Sequence, residues 1–197
     1  MGIRGQVMRP AVFLDRDGVI NRAFVRNGTP HPPDSLSTLE ILAGVPEALN
    51  ALRSRGYLLI VVTNQPDVAR GTLSRGVVDG IHARLQAELH FDAILTCFHD
   101  AADDCDCRKP KPGLLLRAAR DFGIDLASSF MVGDRWRDVE AGQRAGARTI
   151  FVDCSYAERR PASYDYRVGS LLEAANIIVS LPVSPPASRQ DCEQEGR

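Results

Sequence analysis

Short apolar runs alternate with amphipathic stretches along most of this chain, and no other feature limits its possible folds as much. Val12 to Leu14, Tyr57 to Val62, Phe91 to Cys97, Phe130 to Val132 and Thr149 to Val152 are brief, often β-branched and bounded by turn residues. Strands buried on both faces of a parallel sheet read this way. Between them, Val45 to Leu52, Ser74 to Leu89, Gly113 to Phe122 and Arg137 to Ala145 repeat apolar residues at helical spacing. Pro46 falls in the opening turn of the first helix, where an N–H would have no partner in any case. Gly56, Gly123 and Gly146 stand where helices would stop. The alternation predicts an α/β fold: a doubly wound, mostly parallel Rossmann-like sheet flanked by helices.

The segment from Val19 to Thr38 has no period and is rich in Pro, Gly and Asn. It reads as a loop or flap beside the first strand, too short for a cap domain. After Val179, the run Leu181-Pro182-Val183-Ser184-Pro185-Pro186 and the polar residues to Arg197 read as a disordered tail. A single domain over residues 1–180 and a tail over 181–197 are expected, and 197 residues suffice to bury a full core. With 24 basic and 25 acidic residues and a formal net charge of −1, the chain carries no electrostatic footprint for nucleic acid or an anionic membrane. The stretch Met1 to Pro10 lacks the apolar centre of a signal peptide, and no segment reaches membrane-spanning length. A cytoplasmic monomer is expected. In a reducing compartment, five cysteines point to metal or chemistry before disulfides.

In doubly wound sheets, ligands gather at the carboxyl ends of the strands. The first strand runs into Asp15-Arg16-Asp17-Gly18, the second into Thr63-Asn64-Gln65, and the fourth into Gly133-Asp134 with Asp138 four residues on. Arg108-Lys109-Pro110-Lys111 lies between the third strand and a helix. Two carboxylates two residues apart on one face repel unless a cation, a proton or a reaction offsets the repulsion. Each set alone has an ordinary reading as a turn, a helix cap or a solvated charge run. Together they bring carboxylates for a cation, a hydroxyl for an oxygen and an ammonium for negative charge to one edge of the sheet.

These four sets, in this order within residues 11–153, resemble the motifs of the haloacid dehalogenase superfamily of phosphatases. The resemblance implies a Mg2+-dependent phosphomonoesterase acting on a small phosphorylated molecule. Asp15 would be the nucleophile that forms an aspartyl phosphate. Asp17 would protonate the leaving oxygen and then deprotonate the attacking water. Mg2+ would be held by Asp15, the backbone carbonyl of Asp17 and Asp134. Thr63 would donate to a phosphoryl oxygen, Lys109 would add positive charge, and Asp138 would orient Lys109.

Cys97-Phe98-His99, five residues, then Cys105-Asp106-Cys107 place three thiols and an imidazole within eleven positions. That is the donor set of a closed, structural zinc site; the alternative is unrelated thiols beside a surface histidine. The superfamily has a zinc-loop subgroup with this arrangement directly before the lysine motif. The resemblance therefore implies Zn2+ on Cys97, His99, Cys105 and Cys107, fixing the loop that delivers Lys109.

Within the subgroup two substrate groups remain. Ala69-Arg70-Gly71 and Lys111-Pro112-Gly113-Leu114-Leu115 resemble enzymes acting on D-glycero-D-manno-heptose 1,7-bisphosphate, whereas the short zinc loop and Arg135 resemble those acting on histidinol phosphate. Charge favours the bisphosphate: Arg22, Arg26, Arg70, Arg108, Lys111 and Arg135 lie near the motifs, and a guanidinium can bind two phosphate oxygens at once. Asp100, Asp103 and Asp104 could instead greet a cationic substrate. By resemblance, Asn64, Gln65, Arg108 and Arg135 are the substrate contacts. A non-catalytic, zinc-stabilised binding module of the same fold is the alternative from another class, and the intact Asp17 argues against it. His31, His82, His90, Cys154 and Cys192 have no motif context.

Overall fold

The computed structural model describes residues 8–182. Apart from Leu181 and Pro182, the expected tail lies outside the described residues, as does Cys192. In chain order the elements are β1 (Ala11–Leu14), β2 (Phe24–Arg26), β3 (Thr29–His31), α1 (Val45–Ser54), β4 (Leu58–Asn64), α2 (Arg75–Leu89) and β5 (Ala93–Cys97). A single 3-10 turn (Ala101–Asp103) precedes α3 (Gly113–Phe122), β6 (Phe130–Gly133), α4 (Trp136–Ala145), β7 (Arg148–Val152), β8 (Tyr166–Val168) and α5 (Leu171–Ser180).

Successive side chains of a strand point to opposite faces, and the central strands here bury both. Val12, Leu14, Leu59, Val61, Phe130 and Val132 join one core with Leu49 of α1, Ile81 of α2 and Ile178 of α5. Phe13, Ile60, Val62 and Met131 join a second with Leu115 and Ala118 of α3 and Ala141 of α4. Helices therefore cover both faces of the sheet. Its six strands run in the order β5-β4-β1-β6-β7-β8, and every neighbouring pair is parallel.

The chain builds outward from β1 to β4 and β5, then returns to β1 and builds the other way through β6. That reversal opens a crevice at the carboxyl ends of β1, β4 and β6, where ligands of such sheets bind. Leu14 is in register with both Val61 and Val132, so Asp15, Thr63 and Asp134 emerge at one edge.

Four elements go beyond the sequence reading. The segment read as a loop carries the β2–β3 hairpin, turned by Asn27 and Gly28 at φ of 51° and 76°. Asn-Gly with both residues at positive φ is the sequence signature of a two-residue hairpin turn. Past the fifth expected strand, β8 adds a sixth to the sheet edge and α5 closes one face. The start of α5 is also written locally: Ser170 caps the Glu173 N–H at 3.2 Å while the Glu173 carboxylate accepts from Gly169 N at 2.9 Å, a variant of the Ser-x-x-Glu capping box. No helix of the described residues is long and apolar enough to cross a membrane.

Candidate active site and metal centre

Asp15 follows the last residue of β1, and burial holds its carboxyl at a pKa of about 6; the nearby Lys109 pulls it down, while Asp138 and Asp17 push it up. Lys109, on the loop before α3, is itself buried and reaches back into the sheet edge. Its ammonium donates to Asp15 Oδ1 at 2.6 Å and to the Val62 carbonyl at 2.7 Å, and pairs with Asp138 Oδ1 at 2.6 Å. Burial lowers the Lys109 pKa, but the Asp138 and Asp15 carboxylates outweigh it and the net shift is upward. The lysine is a fixed positive charge.

Asp134 is the opposite case. Both of its carboxyl oxygens are buried, and neither accepts a hydrogen bond of good geometry, although the Tyr156 hydroxyl stands close by. Burial, then Asp15 and Asp138, push its pKa well up. A carboxylate that is dry and unpaired is costly. One oxygen each from Asp15, Asp134 and Asp138 lies within 4.8 Å of the others, so a cation has ligands here, and among the described residues Asp134 has no ion pair. Gly18 makes room for this arrangement. At φ 92° it is left-handed, and a Cβ there would sit 2.0 Å from Asp134 Oδ2.

Asp17 is held differently again. Its carboxyl accepts from Arg16 Nη2 at 2.9 Å, Asn21 Nδ2 at 2.9 Å and Gln65 Nε2 at 2.8 Å. Gln65 also donates to Thr63 Oγ1 at 2.9 Å, tying the ends of β1 and β4 together. The Asn64 amide clamps the Lys109 backbone, donating to its carbonyl at 3.0 Å and accepting from its N–H at 3.1 Å.

A second cluster lies beyond β5. The sulfur of Cys97 is 3.6 Å from that of Cys105 and 3.0 Å from that of Cys107, and Cys105 and Cys107 are 3.4 Å apart. Nδ1 of His99 lies 3.7 Å from Cys97 and 3.3 Å from Cys107. Ligands around a tetrahedral zinc stand about 3.5 to 3.8 Å apart, so the four donors fit such an ion with slight expansion. Burial pushes the Cys97 thiol upward, so without a cation it stays protonated. Arg70 braces this loop, forking onto Asp100 at 2.8 and 2.6 Å, and Arg108 donates to the His99 carbonyl at 3.0 Å.

Between the two clusters opens a cavity of about 370 Å³, with Asp15, Asp17, Thr63 and Lys109 in its wall. Arg108, Arg135 and Arg137 line it too, with Thr29 to Pro32 of the hairpin region. The Arg135 guanidinium is forked onto Glu158. Arg137 stacks on Trp136 at 5.0 Å, and among the described residues no carboxylate pairs with it.

Comparison with known proteins points to one family. The Hydrolase_like family, described as HAD-hyrolase-like, matches residues 106–173. The D-glycero-beta-D-manno-heptose-1,7-bisphosphate 7-phosphatase of Vibrio cholerae is 44% identical over 154 residues, covering 72% of this chain and 79% of that protein. The chain belongs to the haloacid dehalogenase superfamily of phosphatases. Its relative of the same name from Pasteurella multocida is 40% identical over 70% of this chain and 78% of its own length. Among solved structures, D,D-heptose 1,7-bisphosphate phosphatase from B. bronchiseptica, complexed with magnesium and phosphate, superposes with a TM-score of 0.71 at 28% identity, covering 87% of this chain and 98% of that one.

In this haloacid dehalogenase phosphatase the motif residues Asp15, Asp17, Thr63, Lys109 and Asp134 converge at one sheet edge, and Cys97, His99, Cys105 and Cys107 at one point. The four residues expected against substrate divide. Arg108 and Arg135 line the cavity, whereas Gln65 is buried behind Thr63 and absent from the wall, and Asn64 lines the wall with its amide engaged by Lys109. Asp100 is taken by Arg70, Asp103 accepts from Asp100 N at 2.7 Å, and Asp104 pairs with Lys111 at 2.7 Å, and none of the three lines the cavity. Reasoning from sequence missed Arg137 and His31 on the wall. Arg137 reads as a helix surface residue, and no local pattern marks either.

Proposed function

We propose that the chain is a Mg2+-dependent phosphomonoesterase that removes the 7-phosphate of D-glycero-D-manno-heptose 1,7-bisphosphate in the cytoplasm, with residues 1–180 as its single domain. The observation that carries the catalytic reading is Asp134, buried beside Asp15 and Lys109 with no ion pair among the described residues. Asp15 and Asp134, with the Asp17 carbonyl, would hold Mg2+, and the magnesium of the B. bronchiseptica structure supports that choice. When bound, the ion supplies positive charge against the phosphoryl oxygens.

The Asp15 carboxylate attacks phosphorus, the ester P–O bond breaks, and Asp17 gives its proton to the leaving oxygen. Water then attacks the aspartyl phosphate, Asp17 takes its proton, and inorganic phosphate leaves. Thr63 donates to a phosphoryl oxygen, while Lys109, paired with Asp138, keeps a positive charge beside the nucleophile. Zn2+ on Cys97, His99, Cys105 and Cys107 would close the loop that ends in Arg108 and Lys109. Such a site does no chemistry of its own.

The choice of a bisphosphate rests on the names of the relatives and on charge. A second phosphate needs cationic partners, which Arg108 and Arg137 offer in one wall, Arg135 there being forked onto Glu158. Burial, then Arg135 and Arg108, lower the Arg137 pKa, so an anion bound there relieves like-charge repulsion. Steady-state assays with Mg2+ on both anomers of the heptose bisphosphate and on histidinol phosphate test this reading. The bisphosphate should have the higher kcat/KM, and a preference for histidinol phosphate would overturn it.

A further inference from the structure

Arg16 stands in sequence between the two motif carboxylates, yet its side chain is 0% exposed and faces away from the cavity wall. A buried guanidinium persists only where its N–H groups are bonded. Its Nε donates to Asp17 Oδ1 at 3.1 Å, its Nη2 to both Asp17 oxygens at 2.9 Å, and its Nη1 lies 3.0 Å from Nε2 of His82. Arginine has no acceptor and keeps its proton, so His82 must offer it the lone pair of a neutral imidazole. Burial, then the Arg16 charge, hold the His82 pKa at about 4, against the pull of Asp17 and Asp79. The lone pair is therefore present at neutral pH. His82 follows Val78 by four residues and precedes Leu85 by three, at the edge of the buried stripe of α2. An apolar side chain could pack there equally well but could not accept.

We propose that His82 is a positioning residue for Asp17, acting through Arg16: the imidazole sets the guanidinium fork, and the fork sets the carboxyl that exchanges a proton with substrate. The inference rests on the reading of Asp17 as acid and base. Asn21 and Gln65 also hold Asp17, but neither covers both of its oxygens as Arg16 does. Without the imidazole, Nη1 is left buried and unpaired, and the guanidinium rotates toward another acceptor at the expense of its fork.

The test compares full-length wild type, His82→Leu and His82→Gln with Mg2+ on two esters. One is p-nitrophenyl phosphate, whose leaving group needs little protonation, and the other is the heptose bisphosphate, whose alkoxide needs it fully. His82→Leu should lower kcat on the bisphosphate about tenfold, part of the usual contribution of a general acid. KM on that ester should stay within about twofold, as should kcat/KM on the aryl ester, which ends at aryloxide release and so omits the later step in which Asp17 takes a proton from water. His82→Gln, whose amide oxygen accepts, should restore the ratio of the two kcat/KM values. Parallel losses of kcat/KM on both esters, or a leucine variant that keeps the ratio of the two kcat/KM values, would overturn the proposal. His82→Ala repeats the measurement should leucine prevent folding, as judged by thermal melts. A wild type inactive on both esters would refute the phosphatase reading instead, a result separate from any change in the ratio.

Discussion

The two polyvalent clusters of this molecule are built in opposite ways. Cys97, His99, Cys105 and Cys107 lie within eleven positions on one loop. Asp15, Asp134 and Asp138 come from two strand ends and a helix, with Asp15 more than a hundred residues before the other two. The thiol cluster is complete in itself: its donors form a closed set that leaves no position open for a substrate. The carboxylate cluster is incomplete in itself, since the single charge of Lys109 is shared between Asp15 and Asp138 while Asp134, among the described residues, has no ion pair and only the Tyr156 hydroxyl close by. A cluster assembled on a loop can stiffen that loop, whereas one assembled by a sheet edge can be held under electrostatic tension by the whole core. The second arrangement suits a group that must react.

The largest effect should separate the clusters outright. Asp15→Asn should lower phosphatase turnover at least about a thousandfold, while zinc content and the melting temperature hold or rise, because an unfavourably buried acid has been removed. Retained turnover would show that Asp15 is not the nucleophile.

Cys107→Ser approaches the comparison from the other side. Zinc per chain should fall from about one toward zero, the melting temperature should drop by several degrees as a loop staple is lost, and kcat should fall because Cys107 directly precedes Arg108 and Lys109. Full activity in a zinc-free variant would mean that the loop needs no metal to place Lys109.

Smaller still should be Arg137→Ala. A charge-assisted contact contributes about 1.5 to 3 kcal/mol, so kcat/KM on the heptose bisphosphate should fall by one to two orders of magnitude and that on p-nitrophenyl phosphate should hardly change. Equal losses on both would assign Arg137 to packing on Trp136.

The smallest effect is a pH dependence. The folded-state pKa of Asp15 is raised from 3.8 to about 6. Between those values the folded chain holds a proton that the unfolded chain has lost, so stability falls as pH rises through the window. The penalty is complete above about pH 6, and a cation on the ionised carboxylates offsets it. Mg2+ should therefore raise the melting temperature more at pH 7.5 than at pH 5, as thermal melts at both values will show. Equal shifts would uncouple Asp15 from the cation.

The same contrast explains what could be read from residues alone. The thiol and imidazole spacing was legible because its partners are neighbours in sequence. The strand ends were legible because alternating apolar runs imply a parallel sheet and such a sheet collects its strand ends. Two local signals were present but went unread: Asn27-Gly28 for the hairpin and Ser170 with Glu173 for α5. Gln65 and Asn64 illustrate a different limit. Their motif context suggested substrate contacts, but burial turned the Gln65 amide toward Asp17 and Thr63, and the Lys109 backbone occupied the Asn64 amide.

By itself, the order of residues determined the doubly wound sheet, the edge at which Asp15, Thr63, Lys109 and Asp134 gather, and the donors of the thiol cluster. Each of these follows from periodicity or close spacing, which the chain carries locally. Only the tertiary structure decided which charges are paired. Lys109 lies between Asp15 and Asp138, Arg135 is taken by Glu158, Arg16 rests on His82, and among the described residues neither Asp134 nor Arg137 has an ion-pair partner. Pairing depends on burial and on distances of a few ångströms between segments far apart in sequence, and no local pattern encodes those.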